Sequence, residues 1–173
     1  MNTNPIISTF TNLQLEINAP QTSQICIEDI AHGLSQICRF AGQCTPYYSV
    51  AQHSVFVSRH VPQHLALTGL LHDASEAYMG DLHSGLKKII PQYKEIEDRL
   101  LAVIYQKFGI PTDTLKPAEV KMADELSLIW ESRHLDMDIQ IDFSHPHVQD
   151  PFVALSSEQA EQNFLQRFRE LQK

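Results

Sequence analysis

From about residue 27 onward, apolar side chains recur at the three- and four-residue spacing of amphipathic helices, and prolines and glycines cut that pattern into segments. This predicts an all-α fold. Ile27, Ile30, Ala31, Leu34 and Ile37 share one face of a first helix, with Gly42 and Pro46 breaking the chain after it. A second helix starts near Ser49 and carries apolar residues from Val50 through Val61. Pro62 suits the first turn of a third, where its missing amide proton is no loss. That helix bears Leu65, Leu67, Leu70, Leu71 and Ala74 and stops at Gly80. A short helical turn around Leu86 to Ile90 follows, then a long helix from Pro91 to Phe108 ended by Gly109-Ile110-Pro111, and another from Pro117 to about Leu135. Asp136 to Leu155 reads as loop. Ser156 with Gln159 three residues on resembles a capping box for a last helix of about 156–172. Ahead of the helices, Thr9 to Ile17 alternates polar and apolar residues around Asn12, which predicts a small hairpin or extended arm closing at Pro20.

With 173 residues, 43% of them hydrophobic, the chain has enough for one compact core and too little for two, so 1–173 is read as a single domain. Lys and Arg number 13 against 21 Asp and Glu, a net charge of -8, which argues against a broad nucleic-acid surface but leaves room for a small anion in a locally positive pocket. No window approaches the ~20 apolar residues of a membrane span. The start, MNTNPIIS, lacks the basic and hydrophobic runs of a signal peptide, so a cytoplasmic location is expected. Cys26, Cys38 and Cys44 form no CxxC pair and are expected to be buried thiols rather than a disulfide framework or a thiolate zinc site.

The chemistry concentrates in Leu70-Leu71-His72-Asp73-Ala74-Ser75-Glu76-Ala77-Tyr78-Met79-Gly80-Asp81. On a continuous helix His72 and Glu76 share a face, while Asp73 points about 100° away. Such polar groups at the end of an apolar helix are expensive to desolvate, and a divalent metal is the simplest compensation. His53 on the preceding helix and Asp124 on a later one are further polar residues among core neighbours. His53, His72, Asp73 and Asp124 would supply two imidazoles and two carboxylates, a set suited to one divalent ion of Mn, Fe, Co, Ni or Zn with positions left for water and substrate. The plainer reading makes His53 a surface residue and His72-Asp73 a helix C-terminal pair.

This ordering of a His, a His-Asp pair and a distant Asp in a helical frame resembles the HD-domain metal-dependent phosphohydrolases. Asp29-Ile30-Ala31-His32, Ile37-Cys38-Arg39-Phe40, Tyr48-Ser49-Val50-Ala51-Gln52-His53-Ser54, Leu71-His72-Asp73-Ala74-Ser75-Glu76-Ala77-Tyr78 and Lys121-Met122-Ala123-Asp124 are similar to the branch holding bacterial 5'-deoxynucleotidases and phage deoxynucleoside triphosphate triphosphohydrolases. The likeness covers most of residues 25 to 135. It implies an HD-type helical bundle in which His53, His72, Asp73 and Asp124 bind one metal ion, Glu76 handles the attacking water, Asp81 lies near the sugar or scissile phosphate, and Arg39 meets phosphate.

Apart from the resemblance, a divalent ion lowers the pKa of its water and neutralises phosphoryl charge, which suits hydrolysis at neutral pH. Glu76 is then a plausible general base. Arg39, Lys87, Lys88 and Lys121 are candidate phosphate contacts. Lys121 lies three residues from Asp124 and so shares its face, whereas Lys87 and Lys88 are either phosphate contacts or a solvated helix face. Phe40 and Tyr78 are candidates to stack on a base, with core packing as their alternative. His32 reads as structural, and His60, His64, His83, His134, His145 and His147 fit no ligand pattern. The expected activity is hydrolysis of 5'-nucleotides, deoxynucleotides foremost, releasing orthophosphate or triphosphate. The expected partners are a small nucleotide and further copies of the chain, with no nucleic-acid polymer and no membrane. A two-iron oxygenase of HD type and a nucleotide-binding regulator without activity are the rival readings.

Overall fold

The computed structural model describes residues 5–137 and 150–173. It is mainly helical. A hairpin pairs β1 (Ile6–Ser8) with β2 (Gln14–Glu16), and its turn carries Asn12 at a φ of 65°, a conformation that Asn tolerates. Leu15 is buried beneath it. The tip is pinned to the first helix, because Thr11 donates its backbone N–H and its hydroxyl to the two carboxylate oxygens of Asp29 at 2.7 and 3.0 Å.

The helices are α1 (Ile27–Gln36), α2 (Val50–Arg59), α3 (Ala66–Leu71), α4 (Glu76–Met79), α5 (Ser84–Ile89), α6 (Pro91–Lys107), α7 (Ala118–His134) and α8 (Ser157–Leu171). Ser49 caps α2 by accepting from the Gln52 N–H, and the Ser156–Gln159 capping box opens α8. Helix α2 is the axis of the molecule and packs on α1, α3, α7 and α8. Most of its residues are buried whichever way they point, as expected for a helix enclosed on all sides. One main core joins Ile30, Leu34, Val55, Leu70, Leu71, Leu101, Ile104 and Phe164. A second, around Tyr48, Phe56 and Trp130, lies between α2 and α7. Each such side chain, fully buried, stabilises the fold by about 1.5–3 kcal/mol.

The expected continuous helix from Pro62 to Gly80 is instead divided. A 3-10 turn at Gln63–Leu65 leads into α3, and residues 72–75 form tight turns before α4. Their amides reach back three residues, as in Ala74 to Leu71 at 3.0 Å and Glu76 to Asp73 at 2.9 Å. The second helix stops at Arg59, short of Val61. Of the three thiols, Cys44 is buried while Cys26 and Cys38 are only half-buried, against the expectation for all three. The described parts of the expected loop, 136–137 and 150–155, are free of helix and strand, and its His145 and His147 lie outside the described residues. Among the described residues no helix is long and apolar enough to cross a membrane.

Candidate functional site

Three elements converge on one point. Helix α2 presents His53 from its enclosed middle, the tight turn after α3 presents His72 and Asp73, and α7 presents Asp124. The Nε2 atoms of His53 and His72 lie 3.3 Å apart. Asp73 Oδ2 is 3.0 Å from His72 Nε2 and 3.6 Å from His53 Nε2. His53, His72 and Asp73 are all buried and their donor atoms cluster closely enough to hold a metal ion. Asp124 Oδ1 approaches from the open side, 3.3 Å from His53 Nε2 and 4.0 Å from His72 Nε2. The adjacent residues His72 and Asp73 therefore aim at the same place, contrary to the 100° divergence of a regular helix; the tightened turn brings them together.

The donor chemistry fits a cation. His72 Nδ1 lies 2.8 Å from the Gly69 carbonyl, which can only accept, so Nδ1 carries hydrogen and a neutral ring leaves Nε2 with a bare lone pair. His53 Nδ1 lies 2.8 Å from Glu131 Oε1 and leaves its own Nε2 in the same state. Two lone pairs and two carboxylates then face one another with no hydrogen between them, an arrangement that requires either a proton or a metal ion. The ion-free electrostatics agree: burial and Arg39 oppose a proton on His53, but Glu131, Asp124 and Asp73 outweigh them and raise its pKa well above the usual imidazole value. A metal ion would displace that proton.

Beside this centre opens a pocket of about 890 Å³. Arg39, Phe40, Glu76, Asp81, Lys87 and Lys88 all line it, as expected, together with Asp73 and Asp124. Burial, reinforced by Asp73 and Asp81, pushes the Glu76 carboxyl well above its ordinary pKa, and Lys87 only partly counters this. Glu76 Oε1 accepts from Lys87 Nζ at 2.9 Å, while its Oε2 is buried with no hydrogen-bond partner among the described residues.

Some expectations change. Lys121 is exposed, 3.9 Å from Glu125, and does not line the pocket, because a step of three from the half-exposed Asp124 leads outward to solvent. Tyr78 packs against the main core, with its hydroxyl buried and without a partner among the described residues, so it is no base-stacking surface. Lys87 is no solvated face: it lines the pocket with its ammonium engaged, bridging Glu76 and, at 2.6 Å, Glu97. Arg39 faces the pocket with its Nε and Nη2 both donating to Glu131 Oε2, at 3.1 and 3.0 Å. His32 is structural, stacked on Phe10 and paired with Glu161.

Sequence reasoning missed Glu131, Glu97, Ser127 and Lys116. Lys116 Nζ lies 3.3 Å from Asp73 Oδ1 and lines the pocket. Its loop position before Pro117 gives no periodic clue. Glu97 and Glu131 did leave one: each is a carboxylate in line with apolar residues at helical spacing, with Leu100, Leu101 and Ile104 following Glu97 and Val120 and Ala123 preceding Glu131.

No protein-family model matches the chain. It is 44% identical over 132 residues to the uncharacterized protein YfdR of Escherichia coli, a match spanning 76% of this chain and 73% of that one. It is 36% identical over 134 residues to an uncharacterized protein of Rhodobacter capsulatus, spanning 70% of this chain and 68% of the relative. At these identities and coverages, the chain belongs to the family that contains YfdR.

Proposed function

We propose that the protein is a metal-dependent phosphohydrolase of the HD type acting on 5'-nucleotides, deoxynucleotides foremost, and that its substrate is the monophosphate. The observation that carries the reading is the convergence of His53 Nε2, His72 Nε2, Asp73 and Asp124 at the wall of a pocket that also holds cations and a buried carboxyl of raised pKa. His53, His72, Asp73 and Asp124 would hold one divalent ion. When bound, such an ion neutralises phosphoryl oxygens and makes a water acidic enough to attack at neutral pH.

The chain's own residues do the rest. Glu76, at the pocket wall, accepts the proton of the attacking water, with Lys87 holding its Oε1 and so the direction of the carboxylate. Lys116 and Arg39 bring positive charge to the phosphate, and Asp81 accepts from a sugar hydroxyl at the pocket rim. Charge balance supports the monophosphate. Among the described lining residues six carboxylates face five cations, and Arg39, Lys87 and Lys116 already hold carboxylate partners. One divalent ion makes that pocket slightly positive, enough for a dianion but a poor match for the roughly four charges of a triphosphate.

The test is a product assay: protein loaded with Mn, Co or Zn is incubated with mono-, di- and triphosphates, and orthophosphate, pyrophosphate and triphosphate are separated. Metal-dependent orthophosphate release from monophosphates is expected. Triphosphate release would transfer the substrate assignment to nucleoside triphosphates, and no turnover with any metal would end the hydrolase reading.

A further inference from the structure

We infer that Glu131 is a positioning residue for the metal centre, fixing His53 with one carboxylate oxygen while its other oxygen is held by Arg39. The inference rests on the metal reading above. Glu131 is fully buried, and its two oxygens receive three N–H groups: Arg39 Nε and Nη2 on Oε2, and His53 Nδ1 on Oε1. Burying such an ion pair is an inefficient way to stabilise a core, since apolar residues of similar volume often serve as well or better. The geometry points to another use. A histidine offers Nε2 to a metal ion only when the proton sits on Nδ1, and an acceptor at Nδ1 both fixes that tautomer and holds the ring.

The two histidines are secured differently. For His72 the acceptor is the backbone carbonyl of Gly69. For His53 it is a side chain, helped by Ser127 Oγ at 3.1 Å, whose own hydroxyl donates to the Asp124 carbonyl. Asp124, Ser127 and Glu131 stand three and seven residues apart on α7, so one helix face supplies a candidate ligand and the groups that orient its neighbour. The same carboxylate holds the guanidinium of Arg39 at the pocket wall. Displacing it moves both.

Cobalt(II) binding to metal-free protein, followed by visible absorption and calorimetric titration, tests this without reference to turnover. Glu131→Gln keeps the shape but offers one acceptor and one NH2 group where two acceptors are needed, and its cobalt affinity should fall by about 10- to 100-fold. Arg39→Gln should bind cobalt nearly as the wild type does. The double variant Glu131→Gln with Arg39→Gln removes both charges together, which protects folding, checked by circular dichroism, and it should bind as weakly as Glu131→Gln alone. Wild-type affinity in Glu131→Gln, or its return in the double variant, would overturn the inference by reducing Glu131 to the counter-ion of Arg39. A wild-type chain that takes up no cobalt would instead overturn the metal reading, and this inference with it.

Discussion

Gly33 sits where α1 crosses α4, and a single methyl group there should reach the chemistry. A Cβ built on Gly33 would lie 2.6 Å from the Ala77 carbonyl oxygen, 2.9 Å from its Cβ and 3.0 Å from its Cα. Ordinary contacts begin near 3.5 Å, so α4 must retreat by ~0.9 Å. Gly33→Ala gains about 1 kcal/mol of helix propensity, while overpacking against backbone, which cannot rotate away, costs about 1–3 kcal/mol. A net loss of up to about 2 kcal/mol is expected, with a melting temperature lower by roughly 2–4 °C per kcal/mol. Glu76 precedes Ala77 on α4, and a displacement of this size at a catalytic group can reduce kcat by ~100-fold. Urea unfolding and orthophosphate release measure the two effects separately. Adding Ala77→Gly removes the Cβ contact but not the closer one to the carbonyl, so it should restore only part of the loss. A Gly33→Ala protein with full activity and stability equal to or above the wild type would refute the packing argument and the placement of Glu76 together.

Asp73→Ala should lose both metal and turnover, whereas Glu76→Gln should keep metal and lose about 100-fold or more in rate; metal analysis beside kinetics separates them, and metal loss in Glu76→Gln would make that residue a ligand. Lys87→Ala strands the buried carboxylates of Glu76 and Glu97, so it should destabilise by about 2–3 kcal/mol, less than the ~3–5 of a fully enclosed pair, and should slow hydrolysis of every substrate. A defect confined to triphosphates would return Lys87 to the role of a distal phosphate contact. Tyr78→Phe deletes a buried hydroxyl that has no partner among the described residues, and stability in denaturant should rise by about 1 kcal/mol with kinetics unchanged. A raised KM would instead place Tyr78 at the substrate.

Residues whose role follows from neighbours a few positions away were legible before any coordinates. Pro91 and Pro117 marked helix starts, Gly80 and Gly109 marked stops with positive φ, and the Ser156–Gln159 spacing found its capping box. His53, His72 and Asp73 were legible because polar groups inside apolar stripes need compensation. What failed required knowledge of distant partners. Lys87 finds Glu97 and Glu76 only once α5 folds over α6, and Arg39 meets Glu131 across 92 residues of chain. The turn at residues 72–75 also escaped notice, because Ala74, Ser75 and Glu76 carry no Gly or Pro to signal a change from helical spacing.

The wall that bears Arg39 and Phe40 is built from unusual backbone. Phe40 and Ala41 follow one another at φ of 56° and 53°, and Gly42 continues the left-handed run at 77°. For Phe and Ala this conformation costs roughly 1–2 kcal/mol each, a sum held in place by the Arg39 N–H bond to the Tyr48 carbonyl and the bridge between Cys38 and Ser49. The strain is thus confined to residues 40 and 41 at the pocket wall, while His53 stands on a regular helix: the backbone leaves its low-energy geometry where a substrate would enter and not where a metal ion would be held.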